Sequence, residues 1–254
     1  MFTEPLLPII LLAFVCEFID SSLGMGFGTI LAPLLMIVGY QPFQIMPALL
    51  LSEFVTGITA GLAHHRFGNV NFSSLVLRDL DVASVLAACG IIGVVVSVLV
   101  PPRLPAWALE FYIGLLVLAI GVVVLATIGW TFTFSWPKLM GLGLLAAFNK
   151  GIRSGGYGPV VVGGQILAGV ESKSAIGIAC LAEGVTSAVG VATYLSLTDQ
   201  AIDWRLAPAL LIGSLCSVPL AAYAVKRIPP RPLRILVGVA TILLGAYTLL
   251  EARV

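Results

Sequence analysis

Polar positions in this chain are confined to short gaps between long apolar blocks. The blocks occupy residues 43–64, 80–100, 106–128, 172–197, 205–225 and 232–250. Each is about 20 residues long, enough to cross a hydrocarbon core of roughly 30 Å at about 1.5 Å per helical residue. The pattern predicts an all-α, polytopic membrane protein. Two further segments, 8–38 and 139–169, break it. As a single straight helix each would measure roughly 46 Å, too long to span comfortably. Each also carries glycines at its centre, "SSLGMGFG" in one and "IRSGGYGP" in the other.

These odd segments begin two copies of one unit. Laid over 148–191, residues 18–61 match Phe18 with Phe148, Gly26 with Gly156, Gly28 with Gly158, Gly39 with Gly169 and Leu51 with Leu181. The same shift pairs Glu53, Val55 and Thr56 with Glu183, Val185 and Thr186, a weighty match because glutamate is rare inside an apolar span. "PPR" at 101–103 returns at 229–231, and Gly114 and Gly121 match Gly238 and Gly245. The reading is a first transmembrane repeat over 1–128, a connection over 129–138 and a second repeat over 139–254.

A glycine-broken segment could be one interrupted crossing or a re-entrant hairpin of two half-length helices. The basic residues discriminate, since cytoplasmic loops collect Lys and Arg. Eleven lie outside the breaks. Eight full spans would divide them five against six, with no bias. The hairpin arrangement gathers Arg66, Arg78, Lys138, Lys173, Lys226, Arg227, Arg231 and Arg234 on one side, leaving only Arg103, Arg205 and Arg253 opposite. It is therefore preferred, with both termini outside. Three crossings per unit is an odd number, so the repeats are expected to be inverted.

Composition narrows the function. Of 254 residues, 59% are hydrophobic and 10% charged, against about a quarter charged in soluble domains. The net charge is +1 and no basic run exists to bind nucleic acid. Loops are short, so no domain outside the membrane is large enough for an enzyme, and no nucleophile–base pair lies at depth. "MFTEPLLPII" lacks a basic n-region and is read as mature sequence. Cys16, Cys89, Cys180 and Cys216 fall in apolar blocks without metal-ligand spacing and read as small buried hydrophobes. No cofactor or ATP-binding motif is present. Trp130, Trp136 and Trp204 mark span boundaries. His64 and His65 close a span beside Arg66 and read as interfacial anchors.

The candidate chemistry sits at the breaks. Lipid cannot satisfy unpaired backbone groups there, so the breaks belong in buried protein or a watery cavity. A helix restarting after a break aims its N-terminal amides at an anion. Lys150 and Arg153 add charge, and the Arg153 guanidinium suits a two-oxygen grip on an oxyanion. Gly24, Gly26, Gly155 and Gly156 let the backbone approach it. The first break carries Glu17 and Asp20 instead, and Asp20 aligns with Lys150 and reads as its partner. A purely structural ion cluster remains the alternative. Glu53 and Glu183 lie about ten residues into apolar spans, where an acid is a natural proton carrier or a hydrogen-bond partner for broken backbone.

"FIDSSLGMGFGTILAP" at 18–33, the E-x-V-T at 53–56 with its echo at 183–186, and "NKGIRSGGYGPVVVGGQ" at 149–165 resemble the TauE/SafE family of sulfite exporters and toluenesulfonate uptake permeases. The resemblance covers nearly the whole chain. It implies transport of small sulfur-containing anions such as sulfite, thiosulfate or organosulfonates, mostly as export, across a bacterial cytoplasmic membrane. It supplies no binding-residue roles. The expected mechanism is alternating access around one anion site held by Arg153, Lys150 and glycine amides, with Glu53, Glu183, Asp20 and Glu17 in proton coupling or gating. A passive anion channel would use the same charges.

Overall fold

The computed structural model describes residues 6–73, 78–99, 105–153, 157–197 and 202–252. Ten helices account for nearly all of them. They are α1 (Leu6–Leu23), α2 (Phe27–Val38), α3 (Pro42–Phe67), α4 (Asp79–Leu99), α5 (Ala106–Ala126), α6 (Trp136–Arg153), α7 (Tyr157–Leu167), α8 (Ser172–Leu197), α9 (Leu206–Arg227) and α10 (Pro230–Glu251). Six are long and apolar enough to cross a membrane, while α2 and α7 are shorter apolar helices. The protein is an all-helical, multi-pass membrane protein.

Element boundaries follow local chemistry. Gly39 and Gly68 take left-handed conformations that close α2 and α3, and their amides cap the preceding carbonyls. Gln41 and Gln44 form a reciprocal capping box at the start of α3, where Pro42 costs no hydrogen bond. Leu35, near the end of α2, shares a buried cluster with Ile9 near the start of α1 and with Ile45 and Leu206 at the starts of α3 and α9. The two helices α1 and α2 are in contact with one another.

Helix pairing depends on small residues, which let backbones approach where lipid gives no hydrophobic drive between helices. The main partners are α3 with α8, α5 with α10, α1 with α9 and α4 with α6, and α3 and α8 also touch α9 and α4. Across α3 and α8, a Cβ on Gly57 would lie 2.6 Å from Gly184 Cα, and one on Gly61 would lie 2.9 Å from Leu181 Cβ. Across α5 and α10, Gly114 meets Leu249 and Gly245, while Gly121 meets Ile242 and Gly238. In both pairs one sequence ascends as the other descends, so the helices are antiparallel.

One end of the bundle is basic and aromatic. Lys173 Nζ donates to Lys226 O at 2.9 Å, and Lys226 lies 5.9 Å over the Phe67 ring, beside Arg66. Lys138 and Arg234 both approach Phe132, at 6.0 and 5.6 Å, and Arg78 stands 5.6 Å over Phe134. Arg205 sits at the opposite end of α9 from Lys226 and Arg227. Arg103 and Arg253 lie outside the described residues.

Candidate functional site

The site is built around the first break. Gly24 and Gly26 have φ of 72° and 121°, values that favour glycine and fix the turn between α1 and α2. This turn presses on the first turn of α7. A Cβ on Gly158 would lie 2.6 Å from Gly24 O and 2.8 Å from Met25 Cα. Glycine is needed here for close approach as well as for conformation.

The groups freed by the break find partners. Asp20 Oδ1 accepts from Phe27 N at 3.1 Å, so a carboxylate of the chain itself caps α2. Ser21 Oγ donates to Glu17 Oε1 at 2.6 Å. Ser21 O lies 2.8 Å from His64 Nε2, and a carbonyl can only accept, so His64 carries its proton on Nε2. Its Nδ1 then accepts from Asn69 Nδ2 at 3.0 Å, and Asn69 also donates to Ala222 O at 2.8 Å. One imidazole and one amide thus tie α1, α3 and α9 together beneath the break.

Two glutamates from the α3–α8 crossing complete the constellation. Glu53 Oε2 accepts from Ser187 Oγ of α8 at 3.0 Å, and a Cβ on Gly28 of α2 would lie 2.9 Å from Glu53 Oε1. Glu53, Glu183 and Glu17 all lie within electrostatic range of Asp20. Four carboxyl groups gathered at membrane depth require compensation by protons or cations.

The sulfite exporter TauE/SafE family model matches residues 9–248. The chain belongs to the TauE/SafE family. It is similar to "Probable membrane transporter protein YtnM" of Bacillus subtilis (strain 168), with 28% identity over 248 residues, 92% of this chain and 79% of that protein. No solved structure matches it. The protein is thus a TauE/SafE membrane transporter.

In this TauE/SafE chain the structure brings together Glu17, Asp20, Glu53 and Glu183 from three helices, with Gly24 and Gly26 at the turn between α1 and α2. Lys150 and Arg153 fall at the C-terminal end of α6, their side chains outside the description, and Gly155 and Gly156 lie outside the described residues. Asp20 was expected to hold Lys150; its described hydrogen bond goes to Phe27 N.

Two expectations are corrected. His64 is fully buried rather than interfacial, because the end of α1 needs its donor. Cys216 is exposed on α9 rather than buried. Asn149 was missed. It is fully buried on α6, and among the described residues neither Oδ1 nor Nδ2 has a hydrogen-bond partner. Its only signal in the sequence is an amide inside an apolar stretch, next to Lys150.

Proposed function

We propose that this transporter is a secondary, proton-coupled exporter of small sulfur-containing anions such as sulfite, thiosulfate or organosulfonates in a bacterial cytoplasmic membrane. The observation that carries the reading is the contrast between the two helix restarts. The α2 N-terminus already holds the Asp20 carboxylate. At the second restart the aligned residue is Lys150, followed by Arg153, so the sequence there offers cations where the first break offers acids. An oxyanion belongs at the second break, held by Arg153, Lys150 and glycine amides at Gly155 and Gly156, with Gly24 and Gly26 closing the opposite wall. Asn149 Nδ2, buried and without a partner among the described residues, is a neutral donor next to Lys150 in the sequence. Glu53 and Glu183, with Glu17 and Asp20, carry or gate the coupling proton.

Alternating access follows from two inverted halves, 1–128 and 139–254, joined by 129–138, each with a re-entrant broken segment. Exchanging the five helices of one half for those of the other leaves the principal pairings unchanged. The self-paired couples, α3 with α8 and α5 with α10, are antiparallel. Only an axis perpendicular to both members can exchange an antiparallel pair, and for membrane-crossing helices that axis lies in the membrane plane. The basic end then faces the cytoplasm and the C-terminus lies outside; a reporter fused to the C-terminus and active in the cytoplasm would refute this orientation.

The functional test is radiolabelled sulfite flux in proteoliposomes. Saturable flux that rises with an imposed pH gradient is expected, abolished by Arg153→Ala and uncoupled from the gradient by Glu53→Gln or Glu183→Gln. Flux indifferent to the gradient removes proton coupling. Non-saturating flux with single-channel currents makes the protein a passive anion channel.

A further inference from the structure

Two matching contacts sit at opposite ends of the bundle. At the end where α3 and α9 begin, Gln44 Nε2 donates to Asp203 Oδ2 at 3.1 Å. At the basic end, where α4 and α8 begin, Ser174 Oγ faces Asp79 Oδ2 at 3.5 Å. Gln44 and Ser174 are the third residues of α3 and α8, in the register that pairs Glu53 with Glu183. Asp79 and Asp203 are paired by the register that joins Gly114 to Gly238. The buried positions of α4 and α9 keep that register, from Val82 and Leu206 to Gly93 and Ser217. The two contacts are thus one contact, made in both repeats. Each joins a residue of the first repeat to one of the second.

They differ in how far they are closed. The amide bond at 3.1 Å is ordinary, whereas 3.5 Å is far beyond the roughly 2.8 Å of a good hydroxyl bond. Around Gln44 and Asp203 the bundle is packed shut by Ile9, Leu35, Ile45 and Leu206, all buried. Asp79 and Ser174 instead line a cavity of about 660 Å³. Asp203 is held in position, since its Oδ1 accepts from Arg205 N at 2.9 Å and leaves Oδ2 for Gln44. Serine reaches less far than glutamine, so the basic end has to close further before its own bond is made.

On the alternating-access reading of the two halves, we propose that Asp79 and Asp203 are the gate residues of transport. Each shuts one end of the bundle by taking a hydrogen bond from the other repeat, and the two bonds are made in turn. The structure holds the Gln44–Asp203 gate shut and the Ser174–Asp79 gate slack over its cavity. Rocking that shortens the second bond parts the first.

The test is labelling of the full chain in lipid nanodiscs by a membrane-impermeant maleimide. The reporter is Ala207→Cys in a Cys216→Ser background. Ala207 is fully buried in the first turn of α9, its amide bonded to Asp203 O, so a thiol there reacts only when that end opens. The perturbation is made at the far end. Ser174→Gln gives the basic end the longer donor, and the cavity has room for it. A hydrogen bond to a carboxylate shifts an equilibrium by about tenfold, so reporter labelling should rise about tenfold. Ser174→Leu adds similar bulk without a donor and should leave labelling unchanged. At the near end, Gln44→Glu sets a carboxylate against Asp203 and should also raise labelling. Adding Asp203→Asn restores a donor and an acceptor there, and with them the wild-type rate. Wild-type labelling in Ser174→Gln, an equal rise in Ser174→Leu, or no rescue of Gln44→Glu by Asp203→Asn overturns the proposal. Labelling needs no substrate. Coupled labelling without saturable sulfite flux would therefore refute the transport reading alone, and saturable flux with uncoupled labelling would refute the gates alone.

Discussion

Replacing Gly57 by alanine adds one methyl group at the tightest point of the α3–α8 crossing. That carbon would lie 2.6 Å from both Gly184 Cα and Gly184 N and 2.7 Å from Cys180 O, all of them backbone atoms that no rotamer change can move. Ordinary contact begins near 3.4 Å, so the helices must part by about 0.8 Å. Overpacking of this kind costs about 1–3 kcal/mol, and the better helix propensity of alanine returns at most about 1 kcal/mol. With the full return, the net loss of up to about 2 kcal/mol corresponds to a melting temperature lower by up to about 8 °C. One turn away, the same separation stretches the 3.0 Å bond from Ser187 Oγ to Glu53 Oε2 beyond hydrogen-bond range. Sulfite flux should therefore fall along with stability. The matched control is Gly141→Ala on α6, an exposed helical position with nothing within 4 Å, where the same methyl should leave the melting temperature unchanged or raise it slightly. Thermal unfolding of both variants, followed by tryptophan fluorescence in detergent, decides the matter. If Gly57→Ala melts at or above Gly141→Ala, the close crossing described here is wrong.

Three further outcomes are expected. Asn149→Leu removes a buried amide that has no partner among the described residues and should stabilise the protein by about 1–3 kcal/mol while lowering sulfite flux; a stabilised variant with unchanged flux would show that the amide is not used in transport. Asp20→Ala deletes the cap on α2 and should cost about 0.5–2 kcal/mol, whereas Asp20→Asn keeps an accepting oxygen and should melt near wild type; equal losses in both would mean that charge, not capping, is what Asp20 supplies. His64→Leu strips a donor from Ser21 O and an acceptor from Asn69 in a buried setting and should cost about 2–5 kcal/mol, measured as loss of monodisperse protein on heating; a neutral result would place His64 outside the clamp.

The spans were legible in the sequence because lipid leaves little choice. A backbone with no water to bond must satisfy itself as helix, and about 20 apolar residues announce that helix whatever its neighbours. The apolar blocks at 43–64 and 172–197 accordingly reappear as α3 and α8 almost residue for residue. The first glycine break was equally visible, since positive φ at Gly24 and Gly26 is a local demand that glycine alone meets easily. The rotation of each helix was hidden. In lipid the outer face of a helix is as apolar as its buried face, so hydropathy does not say that Glu53 turns inward while Phe54 beside it is exposed. Nor does it say that Gly57 meets Gly184, or that Ser21 O needs His64, a residue whose neighbours read as an interface. Those contacts join residues more than forty positions apart, and only packing selects them. The sequence by itself determined that this chain crosses the membrane, where it breaks, and which charged residues must be accommodated. The tertiary structure alone decided which of them meet, because that choice rests on helix rotation and close backbone approach, to which an all-apolar surface is blind.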